Sequence, residues 1–186
     1  MQNNWDLWQY DSYEDYVNAQ INANHRKESV VWVEKQAIEK VSSVVSHDVK
    51  NILCHGTRNG KELQYFQEMF PDAHVIGSEI SDTATKYPNT VQWDFHEVNE
   101  DWTNSFDIVY SNSFDHSYDP KACLTTWKGQ LSSVGTIVIE LQTQKPKRSD
   151  PLSISQEAFE HLVDSLDMQI KTIEQGSHKV PLYFIS

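Results

Sequence analysis

The segment that most restricts the fold of this 186-residue chain is an apolar run followed by a glycine turn and an amphipathic stretch. Apolar residues 52–54 lead into a turn with glycine at positions 56 and 60. The residues after the turn have the spacing of one apolar helix face: Leu63, Phe66, Met69 and Phe70. Glycine permits positive φ and a close approach of a ligand to the backbone. The start of the helix offers free N–H groups and a positive dipole end to a polar or anionic ligand.

Further short runs rich in apolar and β-branched residues occur along the chain, and most are separated by helical patterns. We predict strands at residues 74–80, 90–95, 106–112, 135–141, 168–174 and 179–185. In open α/β sheets, ligands bind outside the carboxyl ends of the strands. Four of the predicted ends carry Gly56, Glu79, Asp94 and Asn112, so we expect these residues to share one site.

Glu79 ends the second predicted strand, 19 residues after Gly60. An acid about 20 residues beyond a glycine turn suits a ribose, because a carboxylate accepts from both hydroxyls of the diol. A solvated acid at the end of a strand is the alternative.

The order of the motifs resembles that of the class I S-adenosylmethionine-dependent methyltransferases. It comprises the glycine turn, Val-Ile-Gly-Ser-Glu, Trp-Asp-Phe, Phe-Asp-Ile-Val-Tyr-Ser-Asn, Asp-His-Ser-Tyr-Asp-Pro and Gly-Thr-Ile-Val-Ile-Glu. The resemblance covers residues 50–186. It implies an α/β, Rossmann-like, doubly wound sheet of seven strands in the order 3-2-1-4-5-7-6, with the last strand antiparallel. The two strands predicted at the chain end fit this arrangement.

The resemblance also implies S-adenosylmethionine as the cofactor and S-adenosylhomocysteine as its product. The cofactor-binding residues that it implies are Gly56, Thr57, Arg58, Gly60, Glu79, Ile80, Asp94, Phe95, Ser111 and Asn112. Glu79 would accept from the ribose hydroxyls, and Asp94 would accept from the adenine amino group. The carbonyl of Ser111 or Asn112 would lie near the methionyl amine. For Asp94, a helix cap or a turn position is the alternative.

The glycine turn departs from the usual family motif at two positions. Cys54 stands where the family usually has an acid, which removes an expected partner for the donor's amino group. Arg58 stands in place of the middle glycine. Its side chain either faces the methionyl carboxylate of the donor or pairs with Glu62 one helical turn on.

His116 is the one candidate catalytic residue, because an unperturbed histidine titrates near pH 6.5 and is able to take a proton at neutral pH. Asp115 would orient it, and a purely structural histidine is the alternative. Asp115, His116 and Asp119 do not match a zinc spacing, so we expect no metal.

The charge of −12 argues against a nucleic-acid substrate, because proteins that grip phosphate present a basic face. The basic segment 145–148 is either a solvated loop or a contact for an acidic substrate group. Residues 111–114 read Ser-Asn-Ser-Phe in place of the Asn/Asp-Pro-Pro-aromatic motif of amino-directed nucleic-acid methyltransferases. We therefore expect a small-molecule acceptor, with oxygen as the favoured atom.

Residues 1–49 are expected to form a helical extension, and residues 50–186 the cofactor-binding domain. Helices are predicted at residues 12–24 and 29–45. The extension begins with five aromatic residues that would form either a lid over the site or ordinary packing: Trp5, Trp8, Tyr10, Tyr13 and Tyr16.

Nothing in the sequence indicates secretion or a membrane anchor. The two cysteines give no disulfide framework, the first residues are polar, and no apolar run approaches about 18 residues. We expect a cytoplasmic protein, and the sequence leaves the oligomeric state open.

The sequence thus predicts methyl transfer from S-adenosylmethionine to a small molecule. One alternative is a module that binds the donor without turning it over. Another is a nicotinamide-dependent oxidoreductase, which would require Gly-x-Gly-x-x-Gly where this chain has two glycines only.

Overall fold

The structure is a computed structural model that describes residues 4–186; residues 1–3, the start of the predicted extension, lie outside the described part. Its helices and strands follow one another along the chain. In order they are β1 (Trp5–Leu7), α1 (Tyr13–Lys27), α2 (Lys35–Val44), β2 (Asn51–His55), α3 (Lys61–Met69), β3 (His74–Glu79), β4 (Thr90–Gln92), β5 (Phe106–Ser111), α4 (Pro120–Gln130), β6 (Leu131–Glu140), β7 (Leu152–Ile154), α5 (Gln156–Ser165), β8 (Ile170–Gln175) and β9 (Pro181–Ile185).

Seven strands form one sheet in the order β4-β3-β2-β5-β6-β9-β8. Counted within this sheet, with β2 as strand 1, the order is 3-2-1-4-5-7-6, so the predicted topology is confirmed. The five strands β4, β3, β2, β5 and β6 are neighbours in that order and run parallel to one another. Strand β9 is antiparallel to both of its neighbours, β6 and β8. Every residue of β5 is buried, as expected for a central strand covered on both faces.

Three of the five α-helices within residues 4–186 begin at side chains that cap them. Ser12, Asp119 and Ser155 accept hydrogen bonds from the first backbone N–H groups of α1, α4 and α5. Pro120 follows its cap directly, where its missing N–H has no cost.

The second helix is shorter than predicted, because it begins at Lys35 and residues 30–34 form no regular secondary structure. Part of this segment contacts the turn between β8 and β9. The N–H of Glu34 donates to Ser177 Oγ at 2.8 Å, and the carbonyl of Trp32 lies 2.8 Å from His178 Nε2. The helix α2 itself shares the core with the sheet, since Ile38 and Val41 pack in one cluster with residues of β2 and β3.

Neither β1 nor β7 was predicted from the sequence, and together they form a separate two-stranded antiparallel sheet. Trp5 pairs with Ile154, and Leu7 pairs with Leu152. Each strand has three residues, too few for an alternating pattern to stand out. The pairing attaches the N-terminal extension to the segment that precedes α5.

Cys54 and Cys123 are both buried free thiols. Among residues 4–186, the helices are all too short or too polar to cross a bilayer.

Candidate functional site

A cleft opens at the carboxyl ends of β2, β3 and β5, with helix α1 as its opposite wall. It encloses about 530 Å³ of space that protein atoms do not fill, including the part open to solvent. The sheet side contributes Gly56, Arg58, Glu79, Ile80, Asp94, Phe95, Ser113 and His116. Helix α1 contributes Tyr16, Gln20, Ala23, Asn24 and Lys27.

Gly56 has the backbone conformation that the turn requires. Its φ is +71°, and a Cβ atom there would lie 2.6 Å from the Cβ of Ser113. Only glycine therefore lets the end of β2 pass this close to the segment after β5. The N–H groups of Gly56 and Thr57 both donate to the carbonyl of Ser78, which fixes the turn against β3.

Gly60 lies outside this cleft. It has a φ of +67° at the start of α3, and its N–H donates to the carbonyl of Thr57 at 2.8 Å. It lines a different depression, on the side of Tyr87 and Asn89. Its position gives it a role in ending the turn, with no direct part in the cleft.

Arg58 lines the cleft and does not pair with Glu62, the second of the two arrangements weighed from the sequence. Its guanidinium donates to the carbonyl of Val30 at 3.1 Å, and it forms no ion pair with Glu62 within residues 4–186. Its backbone N–H donates to Glu79 Oε2 at 2.9 Å. Arg58 thus ties the extended segment before α2 to the glycine turn.

Glu79 is held at the end of β3 by backbone donors. Oε2 accepts from Arg58, and Oε1 accepts from the N–H of Ser81 at 3.0 Å. The residue is 7% exposed and lines the cleft. A carboxylate has about four acceptor positions, so Glu79 keeps capacity for two hydroxyl donors of a ligand.

Asp94 is also in the cleft, but protein donors already contact both of its oxygens. Oδ1 accepts from the backbone N–H of His96 at 2.9 Å and lies 2.7 Å from His96 Nδ1. Oδ2 accepts from the hydroxyl of Tyr13 at 2.9 Å. Burial raises the pKa of Asp94, but the hydrogen bonds from His96 and Tyr13 outweigh it and bring the pKa below its usual value. Asp94 is therefore an anion, and a donor group entering the cleft would compete with Tyr13 for its Oδ2.

Ser111 and Asn112 do not reach the main cleft. Ser111 Oγ donates to the carbonyl of His55 at 3.1 Å and is fully buried. The carbonyl of Asn112 accepts from Gln142 Nε2 at 2.9 Å, and its Nδ2 donates to Glu62 Oε1 at 3.2 Å. Asn112 lines two smaller depressions that adjoin the cleft.

Glu62 was not among the predicted site residues, yet it lies in one of these depressions. It is 7% exposed, and its Oε2 has no hydrogen-bond partner within the described residues. The hydroxyl of Thr57 is also buried without a partner, and both residues line the same narrow space beside Gly56. Burial raises the pKa of Glu62 to about 7. Two buried polar atoms without partners mark a place for a ligand donor.

The sequence offered one signal that would have identified Glu62. Helix α3 begins at Lys61, so its second residue points back toward the turn, and the acid expected at Cys54 is absent. A carboxylate on the helix then stands close to where the strand lacks one.

His116 is placed between the cleft and a more polar depression beside it. Its Nδ1 lies 2.8 Å from Gln20 Oε1, and its Nε2 lies 3.3 Å from Asp150 Oδ1. Asp115 Oδ1 is 3.9 Å from the same Nε2. Asp119 takes no part, because its Oδ1 caps α4 by accepting from Ala122 at 3.0 Å. Asp150 was not predicted at this site, since it lies 34 residues after His116 in the chain.

Two of the three basic residues in the segment 145–148 form ion pairs within the protein. Lys147 Nζ lies 2.6 Å from Asp150 Oδ2, and Arg148 forms an ion pair with Asp15 of α1. The hydroxyl of Tyr10 donates to the carbonyl of Arg148 at 2.6 Å. These contacts fasten the N-terminal extension over the segment that follows β6.

No protein-family profile matches the sequence, and no curated protein matches it either. Many solved structures share its fold. A 1,6-didemethyltoxoflavin-N1-methyltransferase of Burkholderia thailandensis, solved with 1,6-didemethyltoxoflavin and S-adenosylhomocysteine, is 12% identical with a TM-score of 0.71. The alignment covers 96% of this chain and 90% of that chain.

Two further structures extend the comparison. The sugar N-methyltransferase KedS8 of Streptoalloteichus has a TM-score of 0.67 at 11% identity, covering 88% of this chain and 91% of that one. An S-adenosylmethionine-dependent methyltransferase of Aquifex aeolicus has a TM-score of 0.62 at 12% identity, covering 95% and 98%. The fold of this chain is therefore that of the class I S-adenosylmethionine-dependent methyltransferases, as the order of its motifs predicted.

Proposed function

We propose that this protein is an S-adenosylmethionine-dependent methyltransferase that acts on a small-molecule acceptor. The observation that carries the proposal is the meeting of Gly56, Glu79 and Asp94 in one cleft, although they follow three different strands. In open α/β folds this edge of the sheet is where ligands bind. The methyltransferase of Burkholderia thailandensis, which has the same fold, was solved with S-adenosylhomocysteine.

The residues of the cleft suit the three parts of the donor. Gly56 leaves the space that a Cβ would fill, and Glu79 presents a fixed carboxylate to the ribose hydroxyls. Asp94 would accept from the adenine amino group once Tyr13 releases it. At the methionyl end, the partnerless oxygens of Glu62 and Thr57 suit an ammonium group, which has three donors. Glu62 thereby supplies the carboxylate that Cys54 does not.

S-adenosylmethionine supplies a methyl group already activated by the sulfonium, so the protein's own task is chiefly to align the acceptor. His116 Nε2 is the candidate base, since Gln20 holds the other ring nitrogen. The depression beyond His116 is lined by Gln142, Gln144 and Lys147. These polar groups favour a small polar acceptor, and we propose oxygen as the atom methylated. The net charge of −12 supports an acceptor other than nucleic acid, and we propose a cytoplasmic location.

A donor-binding module without turnover is the second candidate. It is favoured by the hydrogen bond from Tyr13 to Asp94, which holds α1 over the adenine end of the cleft. The two candidates differ only in turnover, so a binding measurement alone does not separate them.

Calorimetry with S-adenosylhomocysteine, 5′-methylthioadenosine and NADH tests the binding part. We expect S-adenosylhomocysteine to bind, NADH not to bind, and Glu62→Gln to weaken S-adenosylhomocysteine alone. The truncated ligand lacks the amino group that Glu62 would meet, so it serves as the internal control. Glu68→Gln, on the exposed side of α3, is the matched control variant. Preference for NADH would exclude the methyltransferase function.

Incubation with methyl-labelled S-adenosylmethionine and fractionated metabolites tests turnover. Label in a small molecule is the expected result. Tight binding of S-adenosylhomocysteine without label in any fraction would favour the donor-binding module.

A further inference from the structure

We propose that Asp115, His116 and Asp150 form a binding site for one divalent metal cation, on the acceptor side of the cleft. The sequence predicted no metal here, because Asp115, His116 and Asp119 do not match a zinc spacing. In the folded protein Asp150, and not Asp119, lies next to His116 and Asp115. The three side chains together have a geometry that suits a cation.

The distances are those of ligands converging on one point. His116 Nε2 lies 3.3 Å from Asp150 Oδ1 and 3.9 Å from Asp115 Oδ1, and one ligand atom of each residue lies within 4.8 Å of the others. Nitrogen and carboxylate ligands lie about 2.0–2.2 Å from a zinc-sized ion, so two ligands of one ion are at most about 4.4 Å apart. Both measured separations from Nε2 fall below that limit.

The orientation of the His116 ring is set by its other nitrogen. Gln20 Oε1, an acceptor, lies 2.8 Å from Nδ1, while Gln20 Nε2 donates to the hydroxyl of Tyr10. That hydroxyl donates in turn to the carbonyl of Arg148, which is consistent with the Gln20 amide pointing its oxygen at His116. Nδ1 therefore carries a proton and Nε2 faces the two carboxylates. Metal-binding histidines are commonly held in this way by a partner on the second nitrogen.

Each carboxylate has one oxygen engaged by the protein and the other directed at His116. Asp115 Oδ2 accepts from Gln144 Nε2 at 2.6 Å, and Asp150 Oδ2 contacts Lys147 and Ser149. Asp115 Oδ1 is buried, in a residue only 4% exposed, and has no hydrogen-bond partner within residues 4–186. A buried carboxylate oxygen without a partner is costly, and a cation between it and His116 would remove that cost.

A proton on His116 Nε2 is the other way to balance the negative charge of the Asp115 and Asp150 carboxylates. It would make His116 an imidazolium paired with both acids, and no metal would then be needed. The two states exclude each other at the same atom, so they are separated by whether the protein takes up a metal ion.

The ligand set points to the kind of ion. One imidazole nitrogen with two carboxylate oxygens suits Mn²⁺, Fe²⁺ or Zn²⁺ better than Ca²⁺, which takes oxygen ligands in larger number. The depression shares His116, Ser113 and Arg58 with the main cleft. If the proposed methyltransferase function holds, an ion here would bind an oxygen atom of the acceptor and promote the loss of its proton. It would do so in place of His116, because a metal-bound Nε2 has no free lone pair with which to act as a base.

The site is tested by titrating the purified protein with Mn²⁺ and monitoring the electron paramagnetic resonance signal of the free ion. The experiment requires neither the methyl donor nor the methyl acceptor. We expect one saturable ion per chain. Asp115→Asn and Asp150→Asn should each weaken binding at least about tenfold. Asp119→Ser is the matched control, since it removes an acid from the same loop while keeping a helix cap; its affinity should equal that of the wild type.

Circular dichroism establishes that the variants fold. If one asparagine variant fails to fold, the other decides the question. Absence of saturable Mn²⁺ uptake, or equal affinity in the folded asparagine variants and the wild type, would overturn the proposal in favour of the imidazolium. S-adenosylhomocysteine binding, measured in parallel with a chelator present, tests the proposed function separately: loss of one property with retention of the other identifies which inference fails.

Discussion

The hydroxyl of Tyr13 donates a hydrogen bond to Asp94 Oδ2 at 2.9 Å, joining helix α1 to the segment after β4 across the cleft. Burial and the neighbouring carboxylate raise the pKa of Tyr13, so the phenol keeps its proton and the bond is not broken by titration near neutral pH. Because a carboxylate oxygen in this position is also the candidate acceptor for an adenine amino group, Tyr13 competes with the proposed ligand.

Replacing Tyr13 by Phe should therefore tighten the binding of S-adenosylhomocysteine. Loss of one competing hydrogen bond corresponds to about 0.5–1.5 kcal/mol, or roughly twofold to tenfold in the dissociation constant. Calorimetry measures the change, with Tyr65→Phe on α3 as the control. Weaker binding by Tyr13→Phe would show that the phenol stays in place and supports the ligand.

Loss of the Glu79 carboxylate should weaken S-adenosylhomocysteine binding by about 1–3 kcal/mol in Glu79→Ala, as expected when hydrogen bonds to a charged group are removed. Glu97→Ala is the control, because it removes the same charge from an exposed position. Since Glu79 also accepts from the backbone of Arg58 and Ser81, a thermal melt should accompany the titration. An unchanged affinity in a folded Glu79→Ala protein would reject the ribose role.

Adding a methyl group at Gly56 should abolish ligand binding, because Gly56→Ala combines a φ of +71° with a contact of 2.6 Å to Ser113. Gly129 provides the opposite case. It lies in α4 and has no atom within 4 Å of an added Cβ. Gly129→Ala should raise the free energy of unfolding by about 0.5–1 kcal/mol and leave binding unchanged. Denaturant unfolding and calorimetry on both variants check the pair.

The raised pKa of Glu62 predicts a dependence of stability on pH. Its pKa is about 7 in the folded protein and 4.5 for the free side chain, so between these values the folded state holds a proton that the unfolded state has lost. Stability must then fall as pH rises through this window, by up to about 3 kcal/mol.

The isosteric variant Glu62→Gln has no charge to bury, so its stability should lack the pH dependence that Glu62 causes. Thermal or denaturant unfolding of the wild type and Glu62→Gln at pH 5 and pH 8 measures this contribution. Subtracting the stability of the variant from that of the wild type at each pH cancels the effect of the other titrating groups. If the gap between wild type and Glu62→Gln is the same at both pH values, Glu62 does not titrate in this window.

Much of the architecture follows from local patterns. The glycine turn, the capped start of α1 and the positions of most sheet strands were predictable because periodicity, caps and turn residues each leave a signature over a few adjacent residues. The order of the seven strands was implied by the resemblance to the methyltransferase family. The irregular path of residues 30–34 and the pairing of β1 with β7 were not predictable, because each makes hydrogen bonds to residues more than 100 positions away.

The residues of the candidate site likewise fall into those that the sequence predicted and those that only the tertiary structure brought together. Strand ends in the sequence predicted that Gly56, Glu79, Asp94 and Asn112 would share one site, since the ends of parallel strands meet at one edge of the sheet. The first three line the cleft, and Asn112 does not. Only the tertiary structure turned Gly60 away from the cleft, placed Glu62 beside Thr57, and brought Asp150 to His116 in place of Asp119. Local sequence determines which backbone elements form, whereas contacts between side chains on distant segments depend on how those elements pack, and no local pattern encodes that.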